Sequence, residues 1–250
     1  MKVMLTALVP LLALSLPVHA AEVNVAVAAN FTEAAKDVAK AFHEATGDDA
    51  VLSFGSTGKL YTQIANGAPF KVFLAADQER PEKAEADGLA VSGSRFTYAT
   101  GKIVLYSTDA SLAVADGAAL KTPEAITKIA IANPKTAPYG TAAVEAMKAL
   151  GVYDSLEAKL VQGDSIAQTF QFVESGNAAM GFVALSQVIG SSNGAQWVVP
   201  QTLYTPIRQD AVLLKTGETD DTAKAFVAFL KSDKAREIIA RYGYGIDLGQ

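Results

Sequence analysis

The chain has 250 residues, half of them apolar and 19% charged, with a formal net charge of −5. That composition is globular and long enough for one large or two small domains, and the acidic balance argues against a basic nucleic-acid or anionic-membrane surface. There is no Cys, which excludes disulfides, a Cys-type zinc site and a thiol nucleophile.

Residues 1–20 stand apart from the fold. Lys2 gives a positive start, Val3 to Pro17 is almost wholly apolar, and Val18-His19-Ala20 is a small-residue cleavage pattern. The stretch reads as a secretory signal cut after Ala20, and it is short for a membrane span. A periplasmic location is therefore expected. Without Lys2 the balance is 20 basic against 26 acidic groups, or −6, and His43 is the only remaining His. A His-cluster metal site and a Ser-His-Asp triad are then disfavoured. His43 is expected on the surface of the last turn of a helix, where a cation is favoured.

From residue 22 the pattern alternates strand and helix. Residues 22–29 read as a strand buried on both faces. Apolar residues at 31, 34, 35, 38, 39 and 42 have helical spacing, and Gly47 is a natural stop. Asn30 stands where an N-cap would, and Glu33 completes a capping-box pattern. Residues 50–54 read as a second strand, Gly55-Ser56-Thr57-Gly58 as a turn, and 59–66 as a short helix. Residues 72–76 read as a third strand, followed by a helix from Pro81 to Asp87 with proline at its first position. This βαβαβα run predicts a doubly wound α/β lobe, in which ligands sit beyond the carboxyl ends of the strands.

Two β-prone runs, 96–98 and 102–106, flank Gly101 and predict a crossing into a second lobe. Residues 128–132 form a strand that opens into a loop stiffened by Pro134 and Pro138, then a helix from about 141 to 150. A short strand at 158–162 leads through Gly163-Asp164-Ser165-Ile166 into a helix ending at Glu174. Residues 179–184 are a buried strand, 196–199 and 207–214 two more. Helices are expected over 222–230 and 233–242, the latter capped by Asp233, with no strong pattern after Gly243. The fold class is thus α/β: two doubly wound lobes joined by a two-crossing hinge. Residues 21–98 and 207–250 are expected to form lobe I and 99–206 lobe II, with hinge crossings near 97–101 and 204–208.

The usual equipment for catalysis is missing. Gly55-Ser56-Thr57-Gly58-Lys59-Leu60 is too short for a P-loop and has Leu60 where Ser or Thr is required. No Ser lies in a nucleophile elbow, and the carboxylates are scattered on helix faces. Asp77 and Glu79 follow the third strand without forming an acid–base pair. Tyr98, Tyr106, Tyr153, Tyr242 and Tyr244 read as core or interface aromatics. What remains is a set of strand-to-helix corners at Asn30, Ser56-Thr57, Tyr139 and Ile166. The first N–H groups of a helix are unpaired, and the macrodipole places about half a positive charge there. Such corners hold oxyanions without Lys or Arg. Each corner alone could equally be no more than a helix cap.

Several stretches together carry a more specific signal. They are Val-Ala-Ala-Asn-Phe (27–31), Ser-Phe-Gly-Ser-Thr-Gly-Lys-Leu-Tyr-Thr-Gln-Ile (53–64), Asn-Gly-Ala-Pro-Phe (66–70) and Ala-Ala-Asp (75–77). They continue with Asn-Pro-Lys-Thr-Ala-Pro-Tyr-Gly (133–140), Gly-Phe-Val-Ala-Leu-Ser-Gln (181–187) and Tyr-Gly-Tyr (242–244). In order and over essentially the whole chain from residue 21, these resemble the periplasmic molybdate-binding proteins of molybdate ABC importers, which have the type II periplasmic-binding-protein fold.

The resemblance implies a non-enzymatic receptor that delivers molybdate, and tungstate with it, to a membrane permease. It implies a monomer with no cofactor and no nucleic acid. The alternative within the same class is a receptor for another tetrahedral oxyanion, tungstate-selective or sulfate-type. The implied ligands are Asn30 through backbone and side chain, Thr57 through its N–H and hydroxyl with Ser56 as the fallback, Tyr139 through its N–H and phenol, and Ile166 through its N–H. One branch of that family has Ser at the place of Asn30, a small residue at Tyr139 and a ligand Tyr at Ala184. Here the phenol has moved to Tyr139, and Ala184 has no side-chain donor. For Asn30 the expectation is that its carbonyl oxygen caps the helix while its NH₂ and backbone N–H face the ligand.

Overall fold

The computed structural model describes residues 20–246, so the expected leader, apart from Ala20, lies outside the described residues. The chain begins with β1 (Glu22–Ala28), a 3₁₀ turn (Ala29–Phe31), α1 (Thr32–Thr46), β2 (Asp49–Gly55), α2 (Thr57–Ala65), β3 (Val72–Leu74), α3 (Glu79–Ala86) and β4 (Phe96–Gly101). It then enters β5 (Ile103–Ser107), two 3₁₀ stretches (Ala115–Lys121 and Pro123–Ala125), β6 (Ile129–Ala132), α4 (Pro138–Ala149), α5 (Tyr153–Leu156) and β7 (Leu160–Gly163). α6 (Ile166–Glu174), β8 (Met180–Ala184), α7 (Leu185–Val188) and β9 (Ala195–Val198) follow, and β10 (Ile207–Leu213), α8 (Asp221–Leu230) and α9 (Asp233–Arg241) complete it.

These strands form two five-stranded sheets, ordered β2-β1-β3-β10-β4 and β7-β6-β8-β5-β9. Each is the centre of an α/β lobe. The chain leaves the first sheet at Gly101 and enters the second at Ile103, and it returns between β9 and β10. Both sheets are mixed. β1 pairs in parallel with β2 and β3, as the βαβ reading requires, but β10 runs antiparallel between β3 and β4. In the second sheet β6 pairs in parallel with β7 and β8, while β5 is antiparallel to β8 and β9. A strand arriving from the other lobe needs no crossover helix, so nothing compels it to be parallel.

Burial explains the strand composition. Val23, Val25 and Val27 face one side of β1 and Ala26 the other, and all are inaccessible. The valines meet α1, whose Ala34, Ala35, Val38 and Phe42 form its buried stripe. Phe42 is locked edge-on against Phe226 of α8, ring centres 5.2 Å apart. Each large buried side chain of this kind contributes on the order of 1.5–3 kcal/mol. As expected, His43 lies exposed in the last turn of α1, with Nδ1 2.9 Å from Asp49 Oδ1.

α2 begins at Thr57, two residues ahead of the expected start, and three other helix starts differ from expectation for identifiable reasons. α3 begins at Glu79, ahead of Pro81, because Asp77 Oδ1 accepts the Arg80 N–H at 3.0 Å and starts the turn early. α4 begins at Pro138, whose fixed φ suits a first helical position. That places Tyr139 in the first turn itself. α9 is capped by Ser232, whose Oγ accepts the Ala235 N–H at 3.2 Å, so Asp233 is its first residue and not its cap.

Candidate binding site

Four helical first turns point at one place between the lobes. The 3₁₀ turn after β1 and helix α2 come from one lobe, α4 and α6 from the other. They surround a small recess, of about 10 Å³ in this closed form, lined by Ala28, Ala29, Asn30, Gly55, Ser56, Thr57, Ala76, Ala137, Pro138, Tyr139 and Ile166. All four residues expected from the sequence are therefore on its wall. No charged side chain is among the lining residues, and no carboxylate, His or thiol with which to do chemistry. The positive potential here comes from backbone dipoles and unpaired N–H groups.

Each corner supplies its donors differently. Thr57 is the first residue of α2 and 1% exposed. Its Oγ1 accepts the Ala76 N–H at 3.0 Å, which leaves the hydroxyl proton for another acceptor. Ser56 precedes it as the N-cap in extended conformation. Its hydroxyl is buried, makes no cap and has no partner. Ile166 opens α6 behind Ser165, whose Oγ accepts the Gln168 N–H. Ala184 is fully buried behind this wall and does not line the cavity. Its N–H is held by Gln187 Oε1 at 2.9 Å, while Gln187 Nε2 donates to Ile166 O at 3.2 Å.

Asn30 departs from the expected arrangement. It lies inside the 3₁₀ turn and is not an N-cap, and no side chain caps that turn or α1. The Glu33 capping box is therefore absent, and Glu33 pairs with Lys36 on the surface. The Asn30 amide turns inward instead. Nδ2 donates to Gln209 Oε1 at 2.8 Å and lies 3.0 Å from the Tyr244 hydroxyl and 3.3 Å from that of Tyr139. A buried amide is drawn to acceptors that would otherwise go unpaired, and three are within reach here.

Those contacts belong to a buried network that ties the lobes together beneath the cavity. The Tyr139 hydroxyl, carried by α4, accepts from Gln209 Nε2 at 3.2 Å as well as from Asn30. The Tyr98 hydroxyl is shared between Ala75 O and Gln209 Oε1. Tyr244 donates to Asn30 O at 2.7 Å, and Ser186 Oγ, from α7 of the other lobe, donates to the same carbonyl at 2.8 Å. Phe31 packs edge-on against both Tyr98 and Tyr244, at 4.9 and 5.3 Å.

The space for Tyr139 is made by Gly101. A Cβ there would fall 2.1 Å from the phenol oxygen. Burial pushes the phenols of Tyr98 and Tyr139 well above the usual range and that of Tyr244 to about 12. All three are neutral hydroxyls at pH 7.

The sequence offered little to identify these supporting residues. Gln209 and Asp210 are consecutive in β10 and both buried, because this inner strand is covered on both faces. Alternation along the strand sends Gln209 to the phenols and Asp210 to Arg95 and Thr97, while the bulge in β4 leaves Tyr98 as the extra residue. Tyr244 sits in the tail without pattern, where the N–H and C=O of Gly245 pair with those of Thr100 and fix its position.

Direct contacts between the lobes also ring the cavity. The Gly58 N–H donates to Thr136 O at 2.9 Å, Arg80 Nη2 to Lys135 O at 3.3 Å, and Lys59 pairs with Asp164 at 2.8 Å. The structure is thus a closed form. The exposed Lys59–Asp164 pair adds little to its stability.

Residues 23–245 match the family model of the bacterial extracellular solute-binding proteins. The chain belongs to that family. It is 56% identical to the molybdate-binding protein ModA of Rhodobacter capsulatus, over 96% of this chain and 94% of that one. To ModA of Azotobacter vinelandii it is 54% identical, over 91% of each chain. The solved structure of the Azotobacter vinelandii periplasmic molybdate-binding protein superposes with a TM-score of 0.87 at 40% identity, covering 91% of this chain and all of that one. Among solute-binding proteins the chain is therefore ModA-like. The sulfate-binding protein SubI of Mycobacterium tuberculosis shares the fold, with a TM-score of 0.76 at 13% identity over 90% of this chain and 86% of that one.

Proposed function

We propose that this protein is an extracytoplasmic receptor that binds molybdate, and tungstate with similar strength, between its two lobes and presents it to the permease of an ABC importer. The observation that carries this reading is the meeting of four helical first turns at one small buried cavity with no charged side chain. The molybdate-binding relatives supply the ligand's name. Asn30, Thr57, Tyr139 and Ile166 are the residues proposed to hold the anion, through N–H groups and hydroxyls.

A cavity walled by neutral donors favours a tetrahedral anion that carries no proton at neutral pH. A protonated phosphate would bring a hydrogen needing an acceptor, and an unmet buried donor costs about 1–3 kcal/mol. Sulfate is also unprotonated, so it is excluded by size: donors spaced for a larger tetrahedron stand too far from its oxygens.

The proposed division is 21–98 and 207–250 for lobe I and 99–206 for lobe II, except that β4 keeps 99–101 with the first sheet. Anion binding then draws the lobes together by hinge closure at the two crossings, and the permease recognises the closed monomer. Residues 1–20 would direct export to the periplasm. No step alters the anion. The test is thermal unfolding with molybdate, tungstate, sulfate, phosphate and chromate, because a ligand of the folded state alone must raise the midpoint. Molybdate and tungstate should each raise it. A rise with sulfate and none with either of these would reject the assignment.

A further inference from the structure

The cavity contains one group that the four proposed ligands leave unexplained. Ser56 is 4% exposed, lines the cavity, and its Oγ has no hydrogen-bond partner. A buried hydroxyl without a partner costs about 1–3 kcal/mol, so its isolation in the closed form calls for a cause. Thr136 Oγ1 is also buried and unpartnered, but Thr136 does not line this cavity.

The position of Ser56 sharpens the question. It is the N-cap of the nine-residue helix α2, with φ −69° and ψ 145°. A serine there ordinarily turns its oxygen onto the N–H of the second or third helical residue. Here the second residue is Gly58, whose N–H is taken by Thr136 O of the opposite lobe at 2.9 Å, and the serine caps neither it nor the third residue, Lys59. The approach is close: a Cβ on Gly58 would lie 3.1 Å from Thr136 Cα. The opposite lobe thus serves one N–H of the first turn of α2, and the serine hydroxyl stays uncommitted on the cavity wall.

We infer that Ser56 is a fifth ligand, its hydroxyl donating to an oxygen of the bound oxyanion beside that of Thr57. The inference rests on the anion-binding reading of the cavity and extends it. Two adjacent hydroxyls result. Thr57 Oγ1 is oriented by the Ala76 N–H, whereas Ser56 Oγ has no partner among the described residues. The Ser56 hydroxyl could also accept a hydrogen bond, but an unprotonated anion has none to give, so the serine serves as a donor only.

The test is calorimetric titration of molybdate into the wild-type protein, Ser56→Ala and Ser56→Gly, with unfolding midpoints measured without ligand. Glycine at an N-cap costs only a few tenths of a kcal/mol against serine, whereas alanine costs about 1 kcal/mol. A hydrogen bond to a charged group is worth roughly 1.5–3 kcal/mol, so both variants should bind molybdate about tenfold to hundredfold more weakly. Only the alanine variant should also melt clearly lower without ligand. If both variants keep the wild-type Kd, Ser56 is no ligand, and a lower melting point for alanine alone would make it a helix cap. If the wild-type protein itself gives no molybdate isotherm, the anion-binding reading fails first and the Ser56 inference falls with it.

Discussion

Replacing Tyr139 with phenylalanine removes one oxygen from the centre of the network that joins the lobes. That oxygen accepts from Asn30 Nδ2 at 3.3 Å and from Gln209 Nε2 at 3.2 Å. Asn30 keeps two other acceptors, Gln209 Oε1 and the Tyr244 hydroxyl. Gln209 Nε2 has no second acceptor among the described residues, so a buried donor is stranded. The cost is about 1–3 kcal/mol. Both lost bonds run from α4 to the opposite lobe, so the loss falls on the closed form. It should appear as molybdate binding roughly 5- to 150-fold weaker by calorimetry, even though the backbone N–H of residue 139 is retained. Gln209 does not line the cavity, yet Gln209→Leu should weaken binding by the same route. The two changes together should cost less than the sum of each, with a coupling of at least about 0.5 kcal/mol. An unchanged Kd for Tyr139→Phe, or strictly additive losses in the double variant, would refute this reasoning.

Two further outcomes follow from the same network. Ser186→Ala deletes the hydrogen bond to Asn30 O from the other lobe while Tyr244 still serves that carbonyl. The expected loss is about 0.5–1.5 kcal/mol, seen as molybdate affinity reduced roughly 2- to 13-fold and a ligand-free scattering radius shifted towards the open form. The buried phenols set the alkaline limit. The Tyr244 pKa is raised to about 12 against about 10 in an unfolded chain, chiefly by burial. Below pH 10 both states hold the proton and stability is unaffected. Between about pH 10 and 12 the unfolded state releases its proton first, so stability falls by about 1.4 kcal/mol per pH unit for this group. Phenolate absorbance should accordingly show Tyr244, Tyr139 and Tyr98 titrating after the exposed tyrosines, and urea midpoints should decline only above pH 10.

Much of the framework was legible because it is local. Strand, polar corner and helix follow one another within a dozen residues, and the valines of β1 and the apolar stripe of α1 carry their periodicities openly. Thr57, Tyr139 and Ile166 were identifiable as strand-to-helix corner residues because such a corner has a short-range signature, but Thr57 and Tyr139 were expected just ahead of their helices and lie inside the first turns. Asn30 was misread for the same reason. An Asn three residues before a Glu has the form of a capping box, but the chain enters α1 through a 3₁₀ turn, and the amide is claimed by partners distant in sequence. Gln209 is 179 residues away and Tyr244 is 214. Ser186 reaches its backbone oxygen across 156. No periodicity records such contacts, and nothing in the sequence marks two consecutive polar residues, Gln209 and Asp210, as buried on opposite faces of an inner strand. The antiparallel insertion of β10 was hidden too, since a strand's direction depends on where the chain comes from.

The most direct test of the central claim is to locate the metal atom. Crystals of the protein grown with molybdate, measured for the anomalous scattering of molybdenum, should show one strong site per chain, inside the cavity between Asn30, Thr57, Tyr139 and Ile166. Its oxygens should lie within hydrogen-bond distance of those residues and of Ser56 Oγ. Molybdenum found elsewhere, such as the neighbouring cleft lined by Arg80 and Arg208, with this cavity left empty, would contradict the account.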